Sequence, residues 1–278
     1  MAIELATGKQ VAVKHVVREK PEDDRFIEQV ETEHAVASEL NHPSLRRSYS
    51  IRRVRKLLQT REILVIMEYV DGINLEKARP NRMNTFLTVF MRIAAGLDAM
   101  HEAGYVHSDI KPTNIMILAG GSVKIIDFGQ SCKMRHRKER IQGTPDYIAP
   151  EQVRRMPLDA RTDVFNLGAT MYWVLTSEKY PTALRGTDDR GGISLITSDK
   201  PIAPHELNDK IPLSLSKLVM ECCRDNPDER PADMKQLIAR LQTVKTLWTK
   251  YRDSVRAKKQ ADSQVAPDGA APPGDDDE

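Results

Sequence analysis

The stretch VHSDIKPTNIMI, residues 106–117, carries three polar side chains beside an apolar run that is typical of a buried strand. Asp109, Lys111 and Asn114 place a carboxylate, an ammonium group and a carboxamide close together in the chain. A carboxylate can accept a proton, a carboxamide oxygen can bind a hard cation, and an ammonium group can neutralise an anion. Two interpretations fit this pattern: a solvated turn that precedes a strand, or a site that needs these three groups at fixed distances.

Glu33 is a second candidate, because it lies on the apolar face of an expected helix. Residues 21–43 predict a helix that begins at Pro21 and ends at Asn41–Pro43. Its apolar stripe is formed by Phe26, Val30, Ala37 and Leu40. Glu33 falls on that stripe, where a carboxylate is costly unless a cation meets it. We therefore expect a basic partner for Glu33.

The elements that must position these residues change in type along the chain. Strands are predicted by alternation or by short apolar runs at 9–17, 51–70, 115–118 and 122–126. Further helices are predicted by amphipathic or apolar periodicity at 84–104, 163–176, 213–223 and 232–250. The helix at 163–176 is apolar on nearly all sides, so we expect it at the centre of the core. The front of the chain is thus rich in strands and the rest is rich in helices.

Composition limits the class of protein. With 278 residues, 29% of them charged, the chain can fold as a globular protein with a sizeable core. The 42 Lys and Arg nearly balance the 40 Asp and Glu, but residues 260–278 contain six acids and no base, so the rest carries a net charge of +8. Three cysteines predict no disulfide framework. No apolar run reaches the ~18 residues of a membrane helix and no signal pattern is present, so we expect a cytoplasmic protein without a membrane segment.

Several motifs occur together in a fixed order. The pattern H-x-D-x-x-x-x-N covers His107 to Asn114 and resembles the catalytic loop of protein kinases. The accompanying motifs are VAVK ending at Lys14, Asp127-Phe128-Gly129, Ala149-Pro150-Glu151, Asp163 and Arg230. The chain resembles the protein kinase family from its first residues to about residue 245. Lys111-Pro112 and Thr144 resemble the corresponding residues of serine/threonine kinases rather than those of tyrosine kinases. The compact activation segment and plain architecture favour the bacterial (Hanks) type.

The resemblance implies an α+β, bilobal protein-kinase-like fold with a small β-rich N-lobe and a larger, mainly helical C-lobe. The implied parts are an N-lobe at 1–67, a hinge at 68–74, a C-lobe at 75–245, a C-terminal helix extension at 246–259 and a disordered acidic tail at 260–278. The implied cofactors are ATP and Mg²⁺, and the implied partners are proteins that bear Ser or Thr.

The resemblance also implies roles for single residues. Asp109 would be the catalytic base and Lys111 would neutralise the transferred phosphoryl group. Asn114 and Asp127 would bind Mg²⁺, and Lys14, paired with Glu33, would hold the nucleotide phosphates. The adenosine would be contacted by Ala12, Met67, Glu68, Val70, Asn74 and Met116. Met67 and Met116 can equally be ordinary core methionines.

Other motif residues are expected to be architectural. His107 would pack against Phe128 in the core, Asp163 would hold the backbone of the catalytic loop, and Glu151 would pair with Arg230. These residues are therefore kept apart from the catalytic set.

The sequence departs from the family pattern in three places. Only 13 residues precede Lys14 and they contain one glycine, Gly8, so the resemblance implies an N-terminally truncated N-lobe without the first strand and the Gly-rich loop. Either this sequence begins late, or the protein works without this loop. Ser108 stands where many kinases have an arginine that pairs with a phosphate on the activation segment, here residues 130–147. We therefore expect activity that does not depend on such a phosphate. Ala37 stands where a larger residue usually packs, which predicts a loosely held Glu33.

Three functions are compared. The first is a serine/threonine protein kinase. The second is a kinase-shaped scaffold or nucleotide-binding protein that is impaired because the Gly-rich loop is absent. The third, nucleic-acid binding by the basic residues 133–140, is not favoured, because no aromatic residues or known module accompany them, and we expect no nucleic-acid partner.

Overall fold

A four-stranded antiparallel sheet forms the first part of the computed structural model, which describes residues 2–3, 8–56, 59–183 and 200–264. Its strands are β1 (Ala2–Ile3), β2 (Gln10–Val17), β3 (Ser48–Lys56) and β4 (Gln59–Glu68). They lie in the order β1-β2-β4-β3. The alternation predicted at 51–70 is thus divided between two antiparallel strands, β3 and β4. The apolar side chains of β4 that face inward, Ile63, Val65 and Met67, are fully buried.

Helix α1 (Asp24–Glu39) packs against β3 and β4, after a 3-10 turn at Pro21–Asp23. Its buried face consists of Ile27, Val30, Glu33, Val36 and Ala37. The prediction that Phe26 belongs to this face is wrong, since its side chain is 41% exposed and lies under the guanidinium group of Arg25. The apolar stripe begins one residue later, at Ile27, and one helical residue is a rotation of about 100°.

The second part of the chain is mainly helical. Its helices are α2 (Met83–Glu102), α3 (Pro150–Val153), α4 (Ala160–Thr176), α5 (Pro204–Leu207), α6 (Leu213–Cys222) and α7 (Met234–Gln264). Helix α4 is buried over most of its length, which confirms its predicted place in the core. Gly168 lets α4 approach α6 closely, because a Cβ atom there would lie 2.6 Å from the Cβ of Cys222.

Two small sheets lie among these helices. In the first, β5 (Gly72–Asn74), β7 (Ile115–Leu118) and β8 (Val123–Ile125) pair in the order β5-β7-β8, and in the second β6 (Tyr105–Val106) pairs with β9 (Cys132–Lys133). The strand pair predicted around the turn Gly120–Gly121 is confirmed as β7 and β8. These strands hold the two loops that carry residues 107–114 and 127–131.

The C-terminal helix is longer than the sequence predicted. Helix α7 continues without a break through the proposed extension at 246–259 and ends at Gln264. The prediction of a disordered tail from residue 260 is therefore wrong for residues 260–264, and the rest of the predicted tail lies outside the described residues. Among the helices that the structure describes, none combines the length and apolar character that crossing a membrane requires.

Candidate active site

Glu33 is held between two cations. Its side chain is 2% exposed; Oε2 accepts a hydrogen bond from Lys14 Nζ at 2.6 Å, and Oε1 accepts one from Arg46. The predicted pair of Glu33 with Lys14 is thus present. The expectation of a loosely held Glu33 is wrong, because Arg46 supplies a second anchor that is itself mostly buried.

Arg46 is a site residue that the sequence interpretation missed. It follows HPSL and precedes another arginine, so its type and spacing do not distinguish it from Arg47. Its backbone is tied to β8: Ile125 donates its N–H to the carbonyl of Ser44, and Arg46 donates its N–H to the carbonyl of Ile125. The only signal in the sequence was the second oxygen of Glu33, which needs a donor when buried.

Asp109, Lys111 and Asn114 do form one cluster. Lys111 Nζ lies 2.9 Å from Asp109 Oδ2, and the amide nitrogen of Asn114 donates to the backbone carbonyl of Asp109 at 2.9 Å. The hydroxyl of Thr144 donates to Asp109 Oδ1 at 2.8 Å and accepts from Lys111 Nζ at 2.7 Å. Asp109 and Asn114 are buried. The solvated-turn interpretation of this stretch is therefore wrong.

Asp127 follows β8 in a left-handed conformation, with φ of 66°. One of its carboxylate oxygens, Oδ1, accepts the N–H of Gly129 at 3.3 Å. A Cβ atom on Gly129 would lie 3.2 Å from the backbone oxygen of Gln29 on α1, so this position favours glycine. The loop that carries Asp127 is therefore packed against the helix that carries Glu33.

The donor set suits a magnesium ion bound together with phosphates. No described residue donates to Asn114 Oδ1 or to Asp127 Oδ2, so both hard oxygens are available to a cation. Within residues 2–3, 8–56, 59–183 and 200–264, no cluster of three His, Cys, Asp or Glu side chains could hold a metal alone. Mg²⁺ keeps several waters and is usually bound by one or two protein oxygens and substrate phosphates.

Most of the residues predicted to contact adenosine lie on two strand pairs, one on each side of the short connection that contains Val70. Ala12 of β2 is the register partner of Met67 of β4, and Asn74 of β5 is the partner of Met116 of β7. Met67 is buried in the core formed by α1 and the first sheet, which is the ordinary alternative noted for it. Val70 is half-buried.

Two of these residues have local roles in the structure. Glu68 accepts hydrogen bonds from Lys124 at 2.8 Å and from the N–H of Arg47 at 3.1 Å, so its carboxylate braces the two sheets. Asn74 Oδ1 accepts the N–H of Lys77 at 3.1 Å in the following turn.

The architectural residues lie where the sequence predicted them. The ring of His107 packs on Phe128 with centroids 5.5 Å apart, and burial lowers the pKa of His107. Asp163 accepts the N–H groups of His107 and Ser108 at 2.8 and 2.7 Å. Glu151 and Arg230 form a buried pair with two hydrogen bonds, of 2.8 and 2.9 Å.

Lys138 of the activation segment is a second residue that the sequence interpretation missed. It was counted there only as part of a basic stretch, yet it is 9% exposed. Its Nζ donates to Ser108 Oγ at 2.6 Å and to the carbonyl of Gln130. Burial lowers the pKa of Lys138, while the nearby carboxylates of Asp109 and Asp163 oppose that shift.

Comparison with known proteins gives a consistent result. Residues 1–241 match the model of the protein kinase domain. A probable serine/threonine-protein kinase of Clostridium acetobutylicum is 28% identical over 88% of this chain and 37% of its own length. The serine/threonine-protein kinase PknB of Mycobacterium leprae is 30% identical over 83% of this chain and 38% of its own length. Serine/threonine-protein kinase A of Synechocystis is 32% identical over 86% of this chain and 49% of its own length. The chain thus spans less than half the length of these curated relatives.

Proposed function

The chain belongs to the protein kinase domain family, and we propose that it transfers the γ-phosphoryl group of ATP to Ser and Thr hydroxyl groups of proteins with the help of Mg²⁺. The observation that carries this proposal is the buried cluster in which Asp109 contacts Lys111, Thr144 and Asn114. The relatives described as serine/threonine kinases support the choice of hydroxyl substrate.

In the proposed reaction Asp109 accepts the proton of the attacking hydroxyl and orients its oxygen towards phosphorus. Phosphoryl transfer passes through a loose, charge-rich transition state, so positioning and charge neutralisation provide most of the catalysis. Lys111, 2.9 Å from Asp109, is placed to neutralise the moving phosphoryl group. Thr144 bridges both side chains and links them to the activation segment.

Asn114 and Asp127 are the residues we propose to hold Mg²⁺, through the oxygens that have no donor among the described residues. The bound ion would supply neutralisation of the phosphate oxygens. The left-handed backbone of Asp127 and the hydrogen bonds of Asn114 to Asp109 fix these two oxygens before any ligand arrives.

Lys14 is proposed to hold the α- and β-phosphates. Its side chain is 40% exposed although it is paired with Glu33, so its ammonium group is accessible to an anion. Ala12, Met67, Glu68, Val70, Asn74 and Met116 are proposed to line the adenosine site. For Glu68 and Val70 the proposed contacts use backbone groups, which leaves the carboxylate of Glu68 with Lys124.

The proposed kinase domain spans residues 1–245, divided into an N-lobe at 1–67, a hinge at 68–74 and a C-lobe at 75–245. The division is supported by the change from the β1–β4 sheet to the helical part within this connection. Residues 246–259 continue α7 beyond the domain.

A labelling experiment tests the proposal. The purified chain is incubated with γ-labelled ATP, Mg²⁺ and a generic protein substrate, beside Asp109→Asn. Loss of a positioned base typically costs about 10²- to 10⁴-fold in rate, so we expect labelling by the variant to fall to that extent while nucleotide binding is retained. The matched control is Asp159→Asn, which changes a carboxylate that caps helix α4 outside this cluster. Equal labelling by the wild type and Asp109→Asn would instead support the kinase-shaped scaffold.

A further inference from the structure

Lys138 is a buried ammonium group at the junction of the activation segment and the catalytic loop. Its neighbours Arg137 and Arg140 are exposed, as is usual for a basic stretch, whereas Lys138 is 9% exposed. Its Nζ donates to Ser108 Oγ at 2.6 Å and to the carbonyl of Gln130. Burying a long charged side chain costs conformational entropy and hydration. The hydrogen bonds of Nζ must compensate for this cost, and they join the activation segment to Ser108.

The residues that Lys138 joins are next to Asp109. Ser108 precedes Asp109, has a left-handed φ of 60°, and donates its own hydroxyl to the carbonyl of Gln130 at 2.7 Å. The side-chain amide of Gln130 donates to Asp109 Oδ2 at 3.3 Å. Lys138, Ser108 and Gln130 are therefore all hydrogen-bonded to one another, and Gln130 connects them to the carboxylate of Asp109.

Gln152 adds a second tie between the same two segments. Its amide nitrogen donates to the carbonyl of Ser108 at 2.7 Å and to the carbonyl of Gln142 at 3.0 Å. The activation segment is thus fastened to the residue before Asp109 from both sides, by an ammonium group and by an amide.

We propose that Lys138 is a positioning residue that locks the activation segment onto the catalytic loop, so that Asp109 is held in place without a phosphate on that segment. The inference rests on the proposed function, since it assigns to Asp109 the role of base. In kinases that are switched by phosphorylation, new Arg–phosphate pairs order this segment. Here Ser108 provides no cation for such a pair, and Lys138 supplies the positive charge from within the segment itself.

The serine and threonine hydroxyl groups of the segment agree with this assignment. Ser131 is buried, and Thr144 is already hydrogen-bonded to Asp109 and Lys111. A phosphate on Thr144 would bring negative charge beside the Asp109 carboxylate, which is unfavourable.

Three variants test the lock. Lys138→Met removes the ammonium group, Lys138→Arg keeps a cation, and Arg137→Met removes an exposed cation one residue away. We measure kcat, KM for ATP and for substrate, and the rate of tryptic cleavage at the remaining basic residues of the activation segment. A displacement of about 1 Å in a positioned group can cost 10²-fold. We therefore expect Lys138→Met to lose about 10- to 100-fold in kcat, to leave KM for ATP unchanged, and to be cleaved faster.

The expected results for the other samples make the test specific. Lys138→Arg should recover part of kcat and of the protection, Arg137→Met should match the wild type, and the wild type should keep its full rate after phosphatase treatment. If Lys138→Met does not fold, Ser108→Ala replaces it, because this change removes one acceptor of Lys138 and keeps the charge; it should shift both readouts in the same direction.

Two outcomes overturn the inference. One is a Lys138→Met protein with wild-type kcat and wild-type cleavage; the other is a wild-type rate that collapses on phosphatase treatment. Failure of the proposed function looks different: no variant, including the wild type, transfers phosphate, while the cleavage rates still report whether Lys138 holds the segment.

Discussion

Glu33 is paired with two cations that differ in exposure. Lys14 is 40% exposed and Arg46 is 15% exposed, although both contact the same carboxylate. An ammonium group that turns towards phosphates leaves its former partner uncompensated, and a buried uncompensated charge is costly. In the proposed nucleotide complex Arg46 would remove that cost, because it would keep Glu33 paired while Lys14 contacts the phosphates.

We predict that Arg46→Met lowers the free energy of unfolding by about 1.5–3 kcal/mol, the usual range for a hydrogen bond to a charged group. The matched control is Arg53→Met. It breaks the pair of Arg53 with Glu31, a residue of the helix that carries Glu33, and both side chains of this pair are more than a third exposed. Exposed pairs contribute about 0–1 kcal/mol. Urea unfolding of the three proteins measures the difference, and equal losses in both variants would contradict the anchoring role of Arg46.

The sequence predicted the motif residues of the site but not their auxiliary partners. Lys14, Asp109 and Asn114 belong to sequence motifs, and Glu33 was predicted from its place on an apolar stripe; the structure pairs Lys14 with Glu33 and places Asn114 beside Asp109. Arg46 and Lys138 belong to stretches of basic residues, in which several members carry the same charge and have similar neighbours. Only the fold decides which member of such a run is buried.

At the scale of elements, helix α4 acts on the catalytic loop through Asp163. This residue lies in the first turn of α4 and is fully buried. Burial alone would raise its pKa, but the hydrogen bond from His101 and the N–H groups of the loop outweigh this effect, and the pKa of Asp163 is lowered. Helix α4 thus holds the backbone N–H groups of His107 and Ser108, the two residues that precede Asp109.

We predict that Asp163→Asn destabilises the protein by about 3–5 kcal/mol, as expected when one partner of a buried charged network is removed, and speeds hydrogen exchange at residues 107–109. The control is Asp159→Asn, the same substitution at the N-cap of α4, where asparagine caps as well as aspartate. The lowered pKa means that the contribution of Asp163 is complete above its ordinary value of 3.8 and is lost only as the pH falls through the lowered pKa. The stabilisation by Asp163 should therefore still be present at pH 5; a variant as stable as the wild type at that pH would contradict it.

Element prediction succeeded where a period could be counted. Helices α2, α4 and α6 and the strands β7 and β8 extend over several residues with clear apolar patterns. The two-residue strands β6 and β9 are too short for any period, and they exist because tertiary contacts bring residues 105–106 beside 132–133. Helix α1 was predicted, but its buried face was placed one residue too early, at Phe26 instead of Ile27.

At the scale of the molecule, the site depends on two connections between the sheet and the helical part. Residues 44–46 pair with Ile125 of β8, and Gly129 lies against Gln29 of α1. Both connections flank Asp127, so the proposed metal ligand is held by the part that carries Lys14 and Glu33 as well as by its own strand. The family resemblance implied that Lys14, Glu33 and Asp127 serve one site, while the contacts of residues 44–46 with Ile125 and the packing of Gly129 on α1 could be seen only in the fold.

We predict that Mg²⁺ and a nucleotide together raise the melting temperature, and that Asp127→Asn removes the part of the increase that depends on Mg²⁺. A ligand at 100 times its Kd stabilises the folded state by about 2.7 kcal/mol, which for a chain of this size corresponds to about 5–10 °C. Asparagine tolerates the left-handed backbone of Asp127, so the variant should fold and should keep the increase caused by nucleotide alone, which depends on Lys14. The control is Asp225→Asn, which changes an exposed carboxylate paired with Arg154 and should respond as the wild type does. A Mg²⁺-dependent increase of the same size in Asp127→Asn would show that the metal is bound without this carboxylate, and the proposed assignment of Asp127 would be wrong.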